Sequence, residues 1–125
     1  SEEQLRAEAA GVSNLQVFGD GKIAVITFPY ALKAALNLSD EHLETLIDVA
    51  RSLEGVCVAI CIRQPQSEGR FRASVRSSCN YDVSALCRKF DGGGHVRAAG
   101  CTIYAADIAQ ATEKIVSAID VSQLN

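Results

Sequence analysis

Two stretches of this chain carry the residue types needed to hold an anion. In Arg70-Phe71-Arg72-Ala73-Ser74-Val75-Arg76-Ser77 the apolar period is two, the signature of a strand. Phe71, Ala73 and Val75 share one face; Arg70, Arg72, Ser74 and Arg76 share the other. A guanidinium presents a planar fork that matches two phosphate oxygens at once, so three Arg on one strand face can bind phosphate. The second stretch is Asp91-Gly92-Gly93-Gly94-His95. Glycine admits positive φ and lets a ligand approach the backbone N–H groups, at an entropic cost that a plain surface loop rarely bears. A short helical turn over residues 95–99 would converge those N–H groups at a helix start, an anion site. His95 adds a donor that titrates near neutral pH. Read alone, a Gly run before a His serves equally well as a hinge. Beside an Arg strand, the phosphate reading is the better one.

The charge distribution follows the same division. Net charge is −3, from 12 Lys+Arg against 15 Asp+Glu, which at face value argues against a nucleic-acid binder. Between residues 62 and 97, however, seven cations (six of them Arg) face three anions. That segment carries +4 and the remainder −7.

The elements that must position these residues are legible in outline. Residues 14–18 and 22–28 read as two strands joined through Gly19-Asp20-Gly21. Ser39 caps a helix with Asp40 and Glu41 in its first turn, apolar residues at Leu43, Leu46, Ile47, Ala50 and Leu53, and Gly55 as its stop. Residues 56–62 are apolar on both faces and β-branched, a central strand. Asp82 caps a short helix bearing Val83, Leu86, Cys87 and Phe90. Ala98-Ala99-Gly100 reads as a turn before a strand at 101–104, and Asp107 opens a last helix with Ile108, Ala111, Ile115, Ala118 and Ile119 inward. The order β-β-α-β-β-α-β-α predicts an α/β fold, a mixed sheet of about five strands with helices packed on it.

The 125 residues suffice for one domain and one core. Five cysteines with no C-x-x-C pair, and only His42 and His95 as histidines, exclude a zinc ribbon. Reduced thiols in a cytoplasmic protein are expected. His42 lies beside Glu41 and Glu44 on an expected solvated face, and Tyr30 and Tyr81 are expected to pack rather than stack on a base. The longest apolar run, residues 56–62, is too short for a membrane span, and the acidic start is no signal peptide. With no initiating Met, the chain is expected to be a piece of a longer one. Val12, Leu15 and Phe18 are expected at the surface where a further domain would sit.

Val75-Arg76-Ser77, Asp82-Val83, Phe90-Asp91-Gly92-Gly93-Gly94-His95 and Ala98-Ala99-Gly100 together resemble the C-terminal substrate-binding domain of the DHH phosphoesterases. Residues 46–61, with Arg51-Ser52-Leu53-Glu54-Gly55-Val56, and the segment 22–28 are similar to that family as well. The resemblance spans nearly the whole chain, and its nearest branch is the bifunctional oligoribonucleases and 3′-phosphoadenosine-5′-phosphate phosphatases. It implies that residues 1–125 are a single DHH-associated domain, the partner of an N-terminal catalytic DHH domain absent from this chain. That domain would carry two manganese ions, leaving this chain with no cofactor of its own. Arg76 and Ser77 would hold a phosphate or terminal nucleotide of a short RNA; Gly93, Gly94 and His95 would contact the phosphate beside the cleaved bond, with Gly92 and Arg97 as further substrate-binding residues. Arg70 and Arg72 would be accessory. Where the family usually has a further Gly, this chain has Asp91. Three alternatives stand beside this reading: a cyclic-dinucleotide phosphodiesterase fragment, a non-catalytic RNA-binding or association module, and an autonomous phosphatase using His95 as nucleophile. Homodimer formation stays open.

Overall fold

The computed structural model describes Ser1–Asn125. Its sheet has six strands: β1 (Leu15–Phe18), β2 (Ile23–Phe28), β3 (Val58–Arg63), β4 (Arg70–Ser77), β5 (Gly93–Gly94) and β6 (Ala98–Tyr104). Their spatial order is β1-β2-β3-β4-β6-β5. Only β2 and β3 run parallel; every other pair is antiparallel, so the mixed α/β class is the one expected. The helices are α1 (Glu2–Ser13), α2 (Tyr30–Ala35), α3 (Leu46–Arg51), α4 (Val83–Arg88) and α5 (Ile108–Ser117), with short 3-10 turns at Asp40–Leu43 and Val121–Gln123.

Strand alternation sends side chains into two separate cores. Val58, Ile60 and Ile62 of β3 join Phe71, Ala73 and Val75 of β4, Cys101 and Ile103 of β6, and the inner faces of α4 and α5. Ala59 and Cys61 point the other way, to a smaller core with Ala24, Ile26 and Phe28 of β2, Leu46 and Ala50 of α3, and Ala7 of α1. No β4 or β6 residue belongs to that second core. The first helical layer therefore spans the sheet from β2 to β6, while the second stops at β3.

Several local expectations are corrected. The Ser39-capped helix breaks into the 3-10 turn and α3: the His42 ring folds back to accept from the Ser39 N–H at 3.1 Å, closing a capping box around the first piece alone. Gly55, at φ 86°, lies beyond α3 as the stop. α1 and α2 were not expected, because neither shows a clean apolar stripe. Leu5 and Val12 of α1 are 68% and 52% exposed, whereas Leu15 and Phe18 are half-buried against the two cores. α2 is anchored by buried Lys33, whose ammonium donates to Asp40 Oδ1 at 2.7 Å and the Pro65 carbonyl at 3.0 Å.

Cys57 and Cys79 are joined as a disulfide, with Cα atoms 5.3 Å apart, so the expectation of five reduced thiols is corrected for this pair. The β3–β4 register sets Val58 opposite Ser77, which brings the residues just outside the ladder together across 22 positions of sequence. Cys61, Cys87 and Cys101 are buried free thiols, as expected. No helix is long and apolar enough to cross a membrane.

The cap of α4 fixes the entry to the glycine segment. Asp82 Oδ1 accepts from the Ser84 and Ala85 N–H groups at 2.9 and 3.2 Å, and from the Ser84 hydroxyl. The Ser84 hydroxyl, foremost among these donors, holds the Asp82 carboxyl below its usual range. A depressed carboxyl stabilises the fold above its unfolded pKa and loses that contribution as acid protonates it. Asp82→Ala is therefore expected to lower Tm at neutral pH, with the gap to the unaltered chain closing as acid carries the pH below the ordinary aspartate range. Thermal melts across pH measure it, and a gap independent of pH would contradict the assignment.

Candidate anion-binding face

The half of the sheet that α1 and α3 leave uncovered is the half that carries the arginines. β4 lies between β3 and β6, and register places Arg72 between Arg63 and Thr102, Ser74 between Cys61 and Gly100, and Arg76 between Ala59 and Ala98. The residues flanking Arg76 and Ser74 on β6 are small, so the face has a low floor over which long side chains can lie. Arg72 uses that space to donate to Thr102 Oγ1 at 2.6 Å. Arg76 donates only to the Val75 carbonyl, at 3.1 Å. The one carboxylate in contact with this row is Glu68, 3.6 Å from Arg70. Arg63, Arg72, Arg76 and Arg97 have no acidic partner within 4.0 Å. Like charges placed directly opposite across a ladder are destabilising, so Arg63 opposite Arg72 is a cost to the fold. Beside Arg63 and Arg76, a groove of about 260 Å³ runs along Leu43, Glu44 and Ile47.

Ser77 does not join this face. It is buried, its hydroxyl donates to the Cys79 carbonyl at 3.2 Å, and its N–H donates to the Arg97 carbonyl at 2.9 Å. Its observed part is to fasten the segment that bears His95 and Arg97.

That segment is a hairpin, not a helical turn. His95 and Ala98 exchange backbone hydrogen bonds at 2.8 and 3.2 Å, and Ala98 to Gly100 lie in β6 rather than in a turn. Bonds from Ser77 to the Arg97 carbonyl and from Val83 to the Val96 carbonyl hold the connection flat against its neighbours, so no helix start forms. His95 and Arg97 are exposed at its tip, and the His95 ring makes no hydrogen bond.

The three glycines have different reasons to be small. A Cβ on Gly92 would sit 2.2 Å from the Gly100 carbonyl, and Gly94 has φ 144°. Gly93 has ordinary backbone and open space where a Cβ would go. The fold requires glycine at the first and third positions only, which leaves the middle one free for a ligand to approach. Asp91 adopts φ 58°, and the Gly92 N–H donates to the Cys87 carbonyl at 2.9 Å, which closes α4 with a left-handed residue. Asp is among the few residues that tolerate that conformation, which accounts for an acid where glycine is usual. Beneath Gly92, the Cys87 and Cys101 thiols are buried and face one another, an interaction that pushes Cys87 up and Cys101 down. Burial raises Cys61 to about 11, with Arg63 opposing.

Arg63 and Thr102 were not expected here. The alternation over Ala98–Tyr104 contained the signal for Thr102, but the small residues at its start read as a turn. No three His, Cys, Asp or Glu side chains come together as a metal set, so the chain's own donors do not fit a divalent ion and no step is drawn through one.

The DHHA1 domain model matches residues 20–120. The chain belongs to the DHHA1 family. Within that family, it is 32% identical over 81 residues to the bifunctional oligoribonuclease and PAP phosphatase NrnA of Thermus thermophilus, covering 65% of this chain and 24% of that protein. The chain thus spans about a quarter of this relative's length. Among solved structures, an exopolyphosphatase-related protein from Bacteroides fragilis superposes with TM-score 0.82 at 23% identity, over 94% of this chain and 35% of the other. The pGpG-specific phosphodiesterase PggH of Vibrio cholerae superposes with TM-score 0.62 at 11% identity, over 99% and 40%. Both show the DHHA1 fold.

The glycine assignments separate in two variants. Gly92→Ala is expected to cost about 1–3 kcal/mol, because backbone must move. Gly93→Ala is expected to stay within about 0.5 kcal/mol in denaturant melts while losing anion binding measured by calorimetry with a 3′,5′-bisphosphate nucleotide. Undiminished binding in Gly93→Ala would remove this loop from the site.

Proposed function

We propose that this DHHA1 domain is the substrate-recognition half of a manganese-dependent DHH phosphoesterase that acts on short oligoribonucleotides or 3′,5′-bisphosphate nucleotides. One observation carries the reading: an uncovered sheet face whose Arg63, Arg72 and Arg76 lack carboxylate partners, ending at the Gly93–His95 loop. The name of the Thermus relative supports the same substrate class. Catalysis needs charge neutralised as it develops on the phosphate, and donors fixed before the reaction cost no reorganisation at that moment. Here Arg76 offers its free guanidinium edge and Gly93 an approachable backbone. His95 offers an exposed ring free of any other hydrogen bond. Arg97 lies at the same hairpin tip. Ser77 serves by holding that tip rather than by touching the ligand.

The metal chemistry belongs, on this reading, to an N-terminal DHH domain of the same polypeptide, whose two manganese ions would supply the activated water from across the cleft. A cytoplasmic setting goes with it, supported by the three unpaired buried thiols, with Cys57–Cys79 the exception.

The test is a titration of the 125-residue chain with a dinucleotide or a 3′,5′-bisphosphate nucleotide, following backbone amides. Shifts are expected at Arg76 and from Gly93 to Arg97. Arg76→Ala is expected to weaken binding by about tenfold to a hundredfold, the worth of a hydrogen bond between charged groups. Silence of these amides at millimolar ligand would overturn the proposal.

A further inference from the structure

Beyond the end of β5, the sheet opens into a second cavity of about 520 Å³, whose lining includes Arg72, Lys89, Asp91, Thr102, Tyr104 and Lys114. Three of these six are cations and one is an acid. Arg72 spends one donor on Thr102, Lys114 one on the Tyr104 carbonyl at 2.7 Å, and Lys89 one on the Ala118 carbonyl at 3.3 Å. An ammonium has three donors and a guanidinium five, so most remain uncommitted. None of the three has a carboxylate within 4.0 Å.

Backbone donors face the same space. Ala105 donates to the Gly69 carbonyl at 3.1 Å, which makes Arg70 and Tyr104 a non-hydrogen-bonded pair of the β4–β6 ladder. By alternation, the N–H groups of Gly100, Thr102 and Tyr104 turn toward the β5 side. β5 reaches back only to Gly93, opposite Gly100, so those of Thr102 and Tyr104 meet no strand. The Tyr104 ring, 67% exposed, stands at the rim and offers a stacking surface.

Arg72 and Arg76 lie four residues apart on one strand, about 13 Å. Arg72 is turned to Thr102 on β6 while Arg76 donates to its neighbour's carbonyl, so the two guanidiniums are held toward different ends of the face. We propose that this cavity is a second phosphate subsite, which holds a distal phosphate of a single-stranded oligonucleotide while the terminal phosphate lies at Arg76 and Gly93, with a base stacked on Tyr104. The subsite rests on the function proposed above and narrows it: the face is built for a nucleotide chain and is only partly filled by a mononucleotide.

The experiment compares a dinucleotide, a five-nucleotide RNA and linear polyphosphate of matched charge, titrated into the 125-residue chain at several salt concentrations. The longer RNA is expected to bind more tightly than the other two. Lys89→Ala with Lys114→Ala is expected to weaken the five-nucleotide RNA about tenfold and to flatten its salt slope by about 0.7, one phosphate's worth on a single strand, leaving the dinucleotide unchanged. Asp91→Asn, which keeps a residue tolerant of positive φ, is expected to strengthen the longer RNA, a gain that general damage to the fold cannot produce. If the dinucleotide moves the Gly93–Arg97 amides but the lysine pair and Asp91→Asn leave the longer RNA unaffected, the subsite is wrong and the function stands. If the dinucleotide moves nothing, the functional reading fails first. Polyphosphate binding as tightly as the longer RNA would overturn the assignment to a nucleotide chain.

Discussion

A six-stranded sheet has two faces to cover, and this chain supplies helices for one face and half of the other. Everything at the candidate site follows from where the second layer stops. Had α3 and its neighbours extended over β4 and β6, the outward positions of β4 would have needed apolar side chains, and arginine there would have been a buried charge without a partner. Because cover ends at β3, the same strand can bury Phe71, Ala73 and Val75 on one side and carry arginines on the other. The strand gains its stability from Phe71, Ala73 and Val75, buried at 1% exposure or less, and spends none of it on solvating the arginines.

That arrangement makes the electrostatics tolerable. The arginines keep contact with water, so folding does not bear the cost of stripping it from them. The acidic remainder of the chain offsets their charge at a distance without pairing with them, since all but one of the carboxylate contacts lie elsewhere. The glycine loop adds the one thing side chains cannot: open space against the backbone at Gly93, bracketed by two glycines that the fold itself requires.

Features that depend on local pattern were legible in the sequence. β4 could be read residue by residue, since alternation against a single core decides each side. The Asp82 and Asp107 caps and the inner face of α5 were equally visible, because a cap and an i, i+3, i+4 stripe are local. What escaped depended on partners far along the chain. Ser77 follows Arg76 but points to the opposite side, and only the strand's exit shows that its hydroxyl serves Cys79. The 95–99 segment has helix-compatible residues, yet bonds to Ser77 and Val83 hold it as a hairpin. Cys57 and Cys79 carry no mutual signal until the β3–β4 register is known. The small residues Ala98 to Gly100 looked like a turn because glycine and alanine are weak strand formers, and pairing with β4 overrides that preference.

The brevity of β5 has a further consequence. An unfinished sheet edge is a template for another strand, and natural proteins often blunt such edges with lysine. Here Lys114 occupies the last carbonyl of β6 and Lys89 stands beside the gap. An incoming peptide would have to displace one ammonium and desolvate the other before its first ladder bond could form. The charges suited to drawing a polyanion toward this edge are also what keeps copies of the chain from growing into one another.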